Sequence, residues 1–110
     1  MSKLDDLLVK FTEDLEGIGE KVDAKLLHAV AKACGPSIYR ADAKLVAASD
    51  PKEVDRVKKN FCIKKLGVAD NEKLDEGIKE VLKSYNKRQK QRAVVYYLLV
   101  KKFRKSSVFK

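Results

Sequence analysis

The sequence has 110 residues, 25 Lys/Arg against 16 Asp/Glu, a formal net charge of +9 and 45% apolar residues. That length suits one domain able to bury roughly two thirds of its unfolded surface, and a charged fraction of 37% with only two Pro and five Gly favours amphipathic helices over a turn-rich β fold. A membrane anchor is excluded by length, since the longest apolar run, Ala93–Val100, spans eight residues and a crossing needs about 20.

The opening stretch MSKLDDLLVK is acidic and has no long apolar core, so it is not a secretion signal. A cytoplasmic protein is expected, with Cys34 and Cys62 reduced and packed as small hydrophobes. In the first element Leu4, Leu7, Leu8, Phe11, Leu15 and Ile18 recur in steps of three and four, which is one helical stripe. Gly17 and Gly19 end it. A second helix starts at Asp23, whose carboxylate can accept from the free N–H groups of the first turn, with Val22 and Leu27 spaced as a hydrophobic staple. Leu26, Leu27, Val30, Ala31 and Cys34 form its inner face, and Gly35-Pro36 stops it.

Residues 37–49 carry the weakest pattern, with room for a short helix around Asp42–Ala47. The stretch DPKE at 50–53 is a helix start: Asp50 caps, Pro51 suits the first helical position and Glu53 can reach back in a capping box. The helix that follows should bury Val54, Val57, Phe61 and Cys62 and end at Gly67. Asp70 or Asn71 caps the next, with Leu74, Ile78, Val81, Leu82 and Tyr85 inward. Gly77 in its middle costs up to about 1 kcal/mol against alanine, which implies close approach of a neighbouring helix. The run AVVYYLLV could be a strand by residue type. A lone strand would leave its backbone unpaired, so this run reads as a helix buried on every side. The expectation is an all-α, single-domain bundle of five to six helices around an apolar C-terminal core helix.

Nothing in the residues argues for an enzyme, a cofactor or a small-molecule substrate. His28 is the sole histidine, and one histidine with two cysteines makes no zinc pattern. Cys34 lies six residues beyond His28, about 240° round the helix, so no Cys–His nucleophile forms locally. Phosphate-cradling glycine loops and GxSxG are absent. Residues 60–81 have the outline of a helix-turn-helix around LGV. The helix that would enter the groove, however, carries Asp70, Glu72, Asp75, Glu76 and Glu80, which phosphates repel.

Charge is the remaining signal. Residues 1–50 hold seven Lys/Arg and nine Asp/Glu, whereas residues 51–110 hold eighteen and seven. Lys87, Arg88, Lys90 and Arg92 precede the last helix, where positive charge opposes the helix dipole. Either acids elsewhere in the fold pair with them or they face a partner. The candidate polyanion-binding face is therefore Arg56, Lys59, Lys87, Arg88, Lys90 and Arg92, with Tyr85, Tyr96 and Tyr97 able to stack on bases if they are exposed. The two partners this admits are nucleic acid and an acidic protein; self-association is the variant of the second.

The stretches KVDAKLLHAVAKACGPSIY, LVAASDPKEVDRVKKNF, KKLGV and RAVVYYLLVKKF resemble a small bacterial family known as domain of unknown function 2853. The resemblance runs from roughly residue 8 to 109. It implies a short, cytosolic, largely helical protein, and it brings no site residues with it.

Overall fold

The computed structural model describes residues 3–40, 44–86 and 89–109. Five α-helices carry the architecture: α1 (Lys3–Gly17), α2 (Ala24–Cys34), α3 (Pro51–Arg56), α4 (Glu72–Ser84) and α5 (Arg92–Lys102). Short 3₁₀ segments follow α2 (Gly35–Tyr39) and α5 (Ser106–Phe109). No strand occurs among the described residues; the sole β feature there is one bridge, Leu45 to Gln91. The all-α fold is as the sequence implies.

Capping explains where the helices begin. Asp23 accepts from the N–H groups of Lys25 and Leu26, Asp50 from Lys52, and Asn71 from Leu74. Each satisfies donors that the first turn cannot pair internally. Of the helix ends that carry a positive-φ residue, those of α1 and α5 close alike. Gly19, at φ +81°, directs its N–H to Glu16 while Glu20 donates to Leu15. Arg104, at φ +55°, does the same after α5, with its N–H on Lys101 and that of Lys105 on Val100. Both are Schellman closures, the second without the usual glycine.

α5 is the central helix. It packs against α1, α2 and α4, and Ala93, Val94, Val95, Tyr97, Leu98, Leu99 and Val100 are all buried. Burying each Val or Leu side chain contributes roughly 1.5–3 kcal/mol, so this helix dominates the core. Tyr85 and Tyr97 are fully buried, and their hydroxyls reach polar groups at the rim. The Tyr97 hydroxyl accepts from the Asp23 N–H at 2.9 Å and donates to the Lys21 carbonyl at 3.1 Å. That of Tyr85 accepts from the Gln91 N–H at 3.0 Å and donates to the Asp14 carboxylate. Gly77 sits against the Phe103 ring, and a Cβ there would lie 2.6 Å from its Cζ. The close approach expected at this glycine is thus made by the residue that ends α5.

Two segments depart from expectation. The short helix expected around 42–47 does not form over its described part; residues 42 and 43 lie outside the described residues. Lys44 to Val46 instead run beside the start of α5, where Val46 donates to the Lys90 carbonyl at 2.8 Å and Arg92 to the Lys44 carbonyl at 2.7 Å. The second bond serves the first N–H of α5, whose Gln91 cap makes no side-chain hydrogen bond. The helix expected from Asp50 to Gly67 is not uniform either. After α3 it widens into a π-helix over Val57–Ile63, with bonds from Lys64 to Lys59 and from Leu66 to Phe61 that span five residues.

Candidate functional site

The positive surface is built on the α3–π segment and the start of α5. Lys52, Arg56, Lys59, Lys64 and Lys65 are exposed along the first. Of the six residues in the candidate polyanion face, Arg56 and Lys59 are open to solvent, with side chains 72% and 67% accessible. Their nearest acids are on their own helix: Glu53 lies 3.9 Å from Arg56 and Asp55 3.1 Å from Lys59. The Lys59–Asp55 pair is exposed on both sides and contributes a few tenths of a kcal/mol, and the Arg56–Glu53 contact is long, so both cations are able to change partner. Lys90 is half-buried, its ammonium 5.8 Å from the centre of the Tyr85 ring. Lys87 and Arg88 lie outside the described residues.

Arg92 points inward. Its side chain is 15% accessible, and its guanidinium donates to the Glu53 carboxylate and, at 3.0 Å, to the Tyr96 hydroxyl. Of the two explanations for the positive charge at this helix start, pairing with an acid elsewhere in the fold holds for Arg92. Glu53 accordingly serves Arg92 and Arg56, whereas a capping box would turn it back on the Asp50 N–H, which bonds the Ala47 carbonyl. Lys58 is likewise committed, clamped between Asp70, just before the α4 cap, at 3.0 Å and Asp75 of α4 at 2.9 Å. Hydrogen bonds to Asp75 and then Asp70 raise its pKa further above the usual lysine range. Sequence reasoning missed Glu53, because a glutamate three residues after a cap has a sufficient local explanation.

The tyrosines do not form a stacking surface. Tyr85 and Tyr97 are wholly inside, and Tyr96 is half-buried with its ring 3.9 Å from that of Phe61 at 14° between planes. Stacking of bases on these three rings has no accessible face to use.

Beside Arg92 the surface opens into a cleft of about 340 Å³, lined by Ala33, Cys34, Asn60, Phe61, Lys65, Arg92 and Tyr96. Cys34 and Cys62 are both unbridged thiols. Cys62 is buried, and Cys34 is half-buried in the cleft wall. Burial pushes the pKa of each up to about 12, with the Arg92 charge opposing the rise at Cys34. Both therefore stay protonated at neutral pH and are poor nucleophiles. Among the described residues no cluster of three His, Cys, Asp or Glu could hold a metal ion, and no helix is long and apolar enough to cross a membrane.

No curated protein matches the sequence. The family described as "Protein of unknown function (DUF2853)" matches residues 10–107. That span takes in every helix cap described above, the π-helical segment and the whole of α5, so the chain belongs to this family.

Proposed function

We propose that the protein is a non-catalytic binding domain that holds polyanions, nucleic acid foremost, weakly and without sequence preference. What carries this reading is the α3–π segment, where residues 51–66 hold six Lys/Arg against two acids and five of those bases are exposed. With the three tyrosines turned inward, contact rests on phosphates alone, and phosphate contacts carry no base information. Neutralising about four phosphates gives a log–log salt slope near −3 to −4 and an affinity in the micromolar range or weaker. Titration with labelled RNA and DNA at low and physiological salt tests this. Arg56→Ser together with Lys59→Gln should lower the slope magnitude by about 2 for every sequence alike. Absence of binding at low salt, where screening is least, would sink the reading.

The inward tyrosines also favour a second reading, in which the same surface docks an acidic protein. Capture from lysate that survives nuclease treatment would select it, and capture abolished by nuclease would select the first.

A further inference from the structure

We infer that the cleft between the end of α2, the π-helical segment and the first turn of α5 is a binding site for a small organic anion carrying a flat apolar group. The inference is independent of polyanion binding, which needs only exposed charge. Its first support is the lining. Ala33, Cys34, Phe61 and Tyr96 supply apolar wall, the thiol of Cys34 being uncharged, and Asn60, Lys65 and Arg92 supply the polar groups. Two of these are cations and none is a carboxylate; Glu53, which pairs with Arg92, does not line the cleft. Among the described residues Lys65 enters no ion pair, and its ammonium stands 5.7 Å from the centre of the Phe109 ring. A volume of about 340 Å³ with mostly apolar walls and a few convergent polar groups is at the small end of ligand sites.

The second support is backbone geometry. Asn60 and Lys65 are five residues apart and both line the cleft. In an α-helix that spacing turns side chains about 140° away from each other. The five-residue bonds from Lys64 to Lys59 and from Leu66 to Phe61 widen the turn between them and narrow that angle, although Lys65 itself bonds Phe61 four residues back. π turns are rare and recur at functional sites. Here the turn also gathers the buried Val57, Phe61, Cys62 and Leu66, so packing and site formation share one cause. The ligand's flat group would lie along the Phe61 and Tyr96 edges, with its charge between Lys65 and Arg92 and the Asn60 amide donating to it.

The test is NMR titration of the isotope-labelled full chain with benzoate, with benzamide as the uncharged isostere and inorganic phosphate as the bare anion. Benzoate should move the signals of Cys34, Asn60, Lys65 and Tyr96 with a dissociation constant on the order of 1 mM, as expected for a ligand of about nine heavy atoms. Benzamide and phosphate should each bind about tenfold more weakly, since one lacks the charge and the other the apolar group. Lys65→Gln should weaken benzoate about fivefold or more, and Asn60→Ala should weaken it less; both side chains are exposed, so the fold should be kept. Equal response to benzoate and benzamide, phosphate binding as strong as benzoate, shifts scattered over lysines of other helices, or unchanged affinity in the folded Lys65→Gln variant would each overturn the inference. So would silence to benzoate at roughly 20 mM, far above the expected constant.

Discussion

α4 and the α3–π segment are both capped helices with one face buried, yet they reach that state differently. In α4 the buried Leu74, Ile78 and Val81, with Tyr85 just beyond, are spaced by four, three and four, the rhythm of 3.6 residues per turn. In the other segment the buried residues are Val57, Phe61, Cys62 and Leu66. Val57 and Cys62 are five apart, as are Phe61 and Leu66, and an α-helix would fan these pairs about 140° apart. The backbone widens to i→i+5 bonding and recovers a single face. A stripe thus sets the form of its helix: spacing of three and four keeps it α, and paired spacings of five draw it into π.

The comparison can be broken at the buried positions. If the π segment is packed as firmly as α4, Phe61→Ala should lose about 3–5 kcal/mol, at least as much as Leu74→Ala at about 2–5. Phe61 also stacks on Tyr96, which adds roughly 0.5–1.5 kcal/mol. Denaturant unfolding measures both, and a Phe61→Ala loss under about 1 kcal/mol would show the π wall to be loosely held.

Thiol chemistry sharpens it. Cys62 lies inside the π segment and Cys34 faces the cleft, and both pKa values rise from an ordinary 9.0 to about 12. That rise lowers the thiolate fraction at pH 8 by about a thousandfold, and the greater nucleophilicity of a high-pKa thiolate offsets roughly 20- to 30-fold of it, so native labelling should be slower than unfolded labelling by at least about 30-fold. The same shift fixes a sign. A folded pKa above the unfolded one gives stability that is complete below about pH 8.5 and drains away as pH rises toward 12. Cys34→Ala and Cys62→Ala should each flatten that alkaline loss. Rapid labelling of both thiols near neutral pH would contradict the assignment.

The smallest effect belongs to α4. In an exposed helix Gly→Ala stabilises by up to about 1 kcal/mol. Gly77→Ala should instead destabilise by about 1 kcal/mol, because the new Cβ would meet the Phe103 ring. Phe103→Leu should restore the usual sign, so that the double variant is more stable than Phe103→Leu alone. A stabilised Gly77→Ala would mean that the ring moves aside freely.

These contrasts mark what the sequence could convey. The caps at Asp23, Asp50 and Asn71, the α4 stripe and the buried α5 were legible because each rests on neighbours within one or two turns. The π turn was not, since Val57 and Phe61 are equally good α neighbours and Cys62 looks like the edge of their stripe. The pairing of Lys44–Val46 with Lys90–Arg92 escaped for a related reason: one bridge 46 residues away leaves no alternating pattern. The basic candidate face was read from composition, which counts Arg92 and Lys59 alike. Only tertiary structure separates an arginine paired to Glu53 beneath the surface from a lysine open to solvent. The tyrosines show the same limit, for a phenol near a surface charge and a phenol anchoring a loop have one letter between them.

The central place of α5 also bears on synthesis. A ribosome delivers the chain from its N-terminus, and α1, α2 and α4 emerge before the helix they pack against. Their own caps let them form and dissolve locally on the sub-microsecond to microsecond scale, but they lack the central helix they share as a partner until residues 92–102 have been made. At about 5–20 residues per second, the N-terminal helices wait several seconds in that condition. Closure of the core around α5 therefore waits on residues 92–102, and until then the surfaces that α5 covers on α1, α2 and α4 stay open.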